Sequence, residues 1–174
     1  MLLEDVKVVE LATWIAAPGC AALMADWGAD VIKVESPAGD PARSFFPDTA
    51  ESPANPVFTM ENRGKRSVVL DLTTADDRAA MLRLLSDAGV FITNVRTRSL
   101  RRLGLDYESV KAVAPRLIYA SVTGYGLEGP DADLPAFDVT RFWARSGVAA
   151  ATIPPNQEPF PNRPGFGDHV TGLA

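Results

Sequence analysis

Five short runs rich in β-branched residues, each separated from the next by a helical stretch, constrain this chain more than any other feature. The runs are Val6–Leu11, Val31–Glu35, Arg66–Leu72, Val90–Asn94 and Leu117–Thr123. Between the first two lies an alanine-rich stretch, Gly19 to Trp27, with Pro18 in its first turn and Gly28 as its stop. Thr74 is placed to cap a helix from Ala75 to Asp87, in which Ala79, Leu82, Leu84 and Leu85 form an apolar stripe and after which Gly89 ends the turn. Two shorter helices, Ser99–Leu103 and Tyr107–Ala114, are split by Gly104. Strands joined by whole helices run parallel, because a hairpin cannot span that distance. The expectation is an α/β fold: an open parallel sheet covered by helices on both faces, with ligands beyond the C-terminal ends of its strands.

The exceptions to this alternation mark where function should lie. Residues 36–62 carry Pro37, Pro41, Pro47, Pro53 and Pro56 and show little periodicity. They read as a long ordered loop with one short helical turn, a kind of loop that is usually functional or part of an interface. Gly124-Tyr125-Gly126 reads as a simple turn after the fifth strand, and Asp138–Ser146 as a short helix. The Pro/Gly-rich residues 151–167 then deliver Asp168 to the first position of an apolar helix. There the free N–H groups and the helix dipole would hold its carboxylate ionised, as a cap or as a positioned nucleophile. The apolar pattern is still running at Ala174, so the chain is expected to be the N-terminal part of something longer.

Composition removes several classes of function. A net charge of −5 gives no electrostatic reason for nucleic acid or an anionic membrane as partner. Cys20 is the single cysteine, which precludes an internal disulfide and suits a reducing compartment. No signal peptide or membrane-spanning run is evident, and the reading is a cytoplasmic protein. One histidine and one cysteine leave no metal-binding cluster, so the expected metal ligands are none. Thr13-Trp14-Ile15-Ala16-Ala17 stands where a dinucleotide-binding glycine motif would be. Cys20 reads as a packing residue. His169 adjoins Asp168, yet neighbours on a helix point in different directions. Arg96, Arg98, Arg101 and Arg102 follow the fourth strand and read as a solvated basic face or as an anion site.

Ordered motifs go further. Val-Val-Glu-Leu-Ala-Thr, Ala-Ala-Pro-Gly, Leu23–Glu35, Glu61–Leu72, Phe91–Arg96, Ile118–Gly126 and Gly167-Asp168 occur in sequence. In these the chain resembles the N-terminal portion of the family III (CaiB/BaiF) CoA-transferases, over essentially its whole length. The resemblance implies a Rossmann-like sheet, with residues 1–174 forming the CoA-binding part of a large domain whose remainder, with a small domain, lies beyond this chain. It implies transfer of CoA from an acyl-CoA to a carboxylic acid, with Asp168 attacking the thioester to give an acyl-aspartyl anhydride and then an aspartyl-CoA thioester. Coenzyme A enters as substrate, and the full-length protein is expected to be an interlocked homodimer.

Carried over position by position, the CoA contacts fall on Ile15 and Ala16 after the first strand and on Leu70 and Thr73 at the end of the third. Asn94, Val95 and Arg96 follow the fourth strand, Arg102 and Leu103 lie on the next helix, and Ala136 and Phe137 match the segment near the pantetheine arm. Ser36 and Thr73 stand where the family often has arginine and lysine. Related acyl-CoA racemases need a histidine where this chain has Phe137, which cannot move a proton. The segment from Phe137 to Gly147 looks like the branch acting on 2-hydroxyacyl, arylacyl or bile-acid CoA esters. An acyl-CoA racemase on the same scaffold, and an inactive CoA-binding fragment, are the alternatives.

Overall fold

The computed structural model describes residues 1–45 and 55–174. Five parallel strands form one sheet: β1 (Lys7–Leu11), β2 (Asp30–Glu35), β3 (Arg66–Val69), β4 (Val90–Thr93) and β5 (Ile118–Ser121), in the order β3-β2-β1-β4-β5. Val9 is paired with Ile32 on one side and Phe91 on the other. The crossovers are α1 (Ala16–Asp26), α2 (Pro56–Asn62), α3 (Ala75–Ser86), and the pair α4 (Thr97–Leu103) and α5 (Tyr107–Val113). Beyond the sheet come a π-helical segment (Val139–Arg145), α6 (Val148–Thr152) and α7 (Phe166–Leu173).

The period of two along each strand divides the core. Val9, Val34 and Phe91 face one way and pack with Met81 and Leu85 of α3, Leu100 of α4 and Val110 of α5. Val8, Val31, Val90 and Ile92 face the other way and meet Ala17 and Ala21 of α1. Both faces are therefore covered, as the alternation of elements requires. The small residues of α1 let it lie close, and α7 packs on it in turn. A side chain on Gly172 would stand 2.6 Å from the carbonyl oxygen of Ala16.

Most boundaries agree with the sequence to within a few residues. Thr74 caps α3 by accepting from the Asp77 N–H, and Gly104 ends α4 in the left-handed conformation. Three segments differ. The expected loop 36–62 contains a 3-10 turn, Pro41–Ser44, capped by Asp40, and a full α2, started by Asn55, whose side chain accepts from Val57 and Phe58, and by Pro56. Its Pro47 and Pro53 lie outside the described residues. The expected helix Asp138–Ser146 is a π-helix over Val139–Arg145 that buries Trp143, and the short α6 was concealed in an alanine run. Among the described residues no helix is long and apolar enough to cross a membrane.

Candidate functional site

Strand order reverses between β1 and β4, so the loops leaving their C-terminal ends diverge and open a crevice. Asn94 closes its floor. Its side-chain amide accepts from the Thr13 N–H at 3.0 Å and donates to the Thr13 carbonyl at 2.7 Å, stitching the two loops together. Above this clip lies a cleft of about 410 Å³, whose walls include Trp14, Asn94, Arg96, Phe137, Arg141 and Asp168.

Trp14 holds its place by strain that its neighbours maintain. Its φ is 69°, a region bulky residues rarely occupy. Its N–H donates to Asp40 Oδ1 at 3.2 Å. Asp40 is in turn paired at 2.9 Å with Lys33, which also meets Glu10 at 2.8 Å, all three side chains being buried. Burial pulls the Lys33 ammonium down, but the two carboxylates outweigh it and hold its pKa above the ordinary value. Lys65 completes the set, reaching Glu10 Oε2 at 2.5 Å. The Trp14 ring meets Phe45 and Phe137 edge to face, with centroids 5.3 and 6.4 Å apart.

Asp168 is the third residue of α7, not the first, and it does not cap the helix. That position belongs to Gly165, at φ 82°. Asp138, almost fully buried, accepts from the Gly167 N–H at 3.0 Å and so occupies the first turn, while Asn162 donates to its carboxylate at 3.2 Å. A side chain on Gly167 would overlap Asp138 and Phe142. The Asp168 carboxylate has no hydrogen-bond partner among the described residues. The helix N-terminus is not what dominates its electrostatics: burial first, and then Asp138, push its carboxyl up, against the opposing pull of Arg141 and His169. Arg141 is committed elsewhere, donating to the Thr123 carbonyl at 2.9 Å and lying 3.4 Å from the Thr171 hydroxyl.

Of the residues singled out from sequence, Ala16, Asn94, Val95, Arg96, Ala136, Phe137 and Asp168 come together around the cleft. Ile15 packs beneath the start of α7, its Cδ1 3.1 Å from where a Cβ on Gly165 would be. Leu70 is buried in the core beside α3, and Leu103 packs against the same core. Thr73 is exposed, donating to Asp71 Oδ1 at 2.6 Å, and Arg102 is exposed on α4. None of Arg96, Arg98, Arg101 and Arg102 is ion-paired among the described residues, and Arg96 alone of them lines the cleft. His169 points away from Asp168 and into a second cavity, where its Nε2 lies 2.7 Å from Glu61 Oε1. Trp14, Asp138, Arg141 and Glu61 were not singled out. Only their convergence in space distinguishes them, and no spacing announces it.

The family model for CoA-transferase family III matches residues 3–174. The chain is 42% identical over 177 residues to an (R)-2-hydroxy-4-methylpentanoate CoA-transferase of Clostridioides difficile, covering 100% of this chain and 44% of that protein. It is 43% identical over 180 residues to a cinnamoyl-CoA:phenyllactate CoA-transferase of Clostridium sporogenes, covering 99% of this chain and 42% of that protein. The crystal structure of a CAIB/BAIF family protein from Brucella suis superposes with a TM-score of 0.89 at 41% identity, over 98% of this chain and 46% of the other. The chain thus spans less than half the length of the relatives it matches.

Proposed function

The chain belongs to CoA-transferase family III, and we propose that the protein of which it forms the CoA-binding part moves CoA from an acyl-CoA thioester to a carboxylic acid, with Asp168 as nucleophile. The observation that carries this reading is the state of Asp168. It is the one carboxylate among the described residues lining the cleft, it is half buried, and it has no hydrogen-bond partner. A partly desolvated carboxylate with no donor to hold its charge is more basic, and a better nucleophile, than an ordinary one.

The steps follow from that group. An Asp168 oxygen attacks the thioester carbonyl carbon, the carbon–sulfur bond breaks, and CoA leaves as thiolate, giving an acyl-aspartyl anhydride. Thiolate attack on the aspartyl carbon then expels the first acid as its carboxylate and leaves an aspartyl-CoA thioester. The acceptor carboxylate repeats the sequence in reverse. Anhydride and thioester are of comparable reactivity, so each step is manageable. Ala16, Asn94, Val95, Arg96, Ala136 and Phe137 bind CoA beside the nucleophile. Ile15, Leu70, Thr73, Arg102 and Leu103 serve the more distant parts of the cofactor or its surroundings.

Trp14 and Phe137 present apolar wall to the cleft, which favours an apolar acyl group over a dicarboxylate. Two relatives at 42% and 43% identity are named for acids of that class, while others at 37–39% are named for dicarboxylates. Phe137 offers no proton acceptor, so exchange at the substrate α-carbon is not expected. The site is completed by later segments and by a second copy in a homodimer.

Hydroxylamine trapping on the full-length protein tests the reading. After incubation with cinnamoyl-CoA, hydroxylamine should leave a hydroxamate on Asp168, detected by mass spectrometry and absent from Asp168→Asn. An unmodified Asp168 in wild-type protein that exchanges thioesters would overturn it.

A further inference from the structure

Glu61 is a buried carboxylate that the reaction above does not use. It sits near the end of α2 and is 2% exposed, and it reaches α7 through a notch that a glycine keeps open. A side chain on Gly19 of α1 would stand 2.6 Å from its Oε2. Through that notch Glu61 Oε1 lies 2.7 Å from His169 Nε2. His169 directly follows Asp168, and its N–H closes the first turn of α7 on the Gly165 carbonyl at 2.9 Å. The contact therefore ties the residue after the nucleophile to a separate element, across a helix cleared to let it pass.

We propose that Glu61 and His169 are a positioning pair for Asp168: together they fix the rotation of the first turn of α7 and set an imidazole against a carboxylate beside the nucleophile. This rests on Asp168 being the nucleophile. The rotational part follows from geometry, because consecutive helical residues point about 100° apart. Holding His169 against α2 leaves Asp168 facing the cleft, while Gly172 against Ala16 fixes the other end of α7.

The electrostatic part follows from the charges facing each group. Asp138 and Arg141 flank Asp168 from the π-helical side, the first raising its carboxyl and the second lowering it. From the other side Glu61 raises it and His169 lowers it, so the pair opposes itself. Glu61 is accompanied by Lys65, whose ammonium contacts the Glu61 carbonyl at 2.7 Å and Glu10, while Arg63 and Gly19 line the cavity into which His169 opens. Removing one partner leaves the other's influence on Asp168 unopposed.

The test reads the Asp168 titration midpoint in the full-length protein in two ways: from the acid limb of the single-turnover release of CoA from cinnamoyl-CoA, and from pH-dependent carbodiimide labelling of Asp168, which needs no turnover. His169→Gln should raise the midpoint by about half a pH unit, a roughly threefold change in the ionised fraction below it. Glu61→Gln should lower it, and the double variant should return it towards wild type. Both single variants should reduce kcat more than KM. Midpoints unmoved in all three variants, alongside a lower melting temperature, would reduce the pair to packing and overturn the proposal. If wild type fails to release CoA, the acyl-transfer reading falls and the pair's role towards a nucleophile falls with it; release of CoA by wild type with unmoved midpoints in the variants overturns the pair alone.

Discussion

Asp168 is costly to the fold in the state its chemistry needs. Because its carboxyl is pushed up by burial and by Asp138, folding favours the neutral form relative to the unfolded chain, and ionisation at neutral pH opposes folding. Asp168→Asn is therefore expected to abolish acyl transfer yet melt at or above the wild-type temperature at pH 7. That gain should shrink as pH falls through the raised value and be gone below the ordinary 3.8, where the carboxyl is neutral in both folded and unfolded chains. Calorimetry at pH 7 and at a pH below 3.8 checks the gain and its loss. The acid limb of activity should likewise lie above the ordinary aspartate range. Gly167 is constrained differently: there is no room for a Cβ between Asp138 and Phe142. Gly167→Ala should cost about 1–3 kcal/mol in chemical denaturation, as overpacking does. It should also lower activity, because the turn it displaces carries Asp168. The Gly167-Asp168 pair was legible in the sequence. Its electrostatics were not, since they depend on Asp138, thirty positions earlier in the chain.

Between β1, β2 and the turn that follows them, charges do work usually left to apolar packing. Lys33 on β2 is buried between Glu10 of β1 and Asp40, and Asp40 holds the Trp14 N–H. Lys33→Met would leave two carboxylates buried without that cation and should destabilise by about 3–5 kcal/mol in denaturant titration. It should also release Trp14 from its left-handed backbone, visible as a change in tryptophan fluorescence. The neighbouring Glu35 is held by hydrogen bonds from Arg43, at 2.7 and 2.8 Å, which bring its pKa down to about 2. A depressed carboxylate contributes stability that is present above the unfolded value of 4.5 and is lost as pH falls through about 2. The acid-induced loss of stability should therefore be shallower over that window in Glu35→Gln. The strands bearing these residues were readable from their β-branched runs. The charge set was not, because a lysine in a strand looks the same whether it faces solvent or two carboxylates.

Across the whole molecule, protection should follow the sheet. Val8, Val9, Phe91 and Ile92 are at most 2% exposed, in strands β1 and β4 at the centre of the sheet. Residues 154–164 are mostly exposed and have little regular structure. Native-state hydrogen exchange should find β1 and β4 exchanging last and 154–164 first; uniform exchange across both would contradict the core described above. By itself the sequence determined the alternating parallel sheet, the helix caps at Thr74 and Gly104, and the glycine turn before Asp168. These are local matters: side-chain periodicity, φ preference and capping act over a few residues. Only the tertiary structure decided that Asp138 takes the Gly167 N–H, that Arg141 turns to Thr123, and that Glu61 crosses Gly19 to meet His169. Each of these joins residues distant in sequence through the packing of separate elements, and burial, which raises Asp168, is a property of that packing and of no single residue.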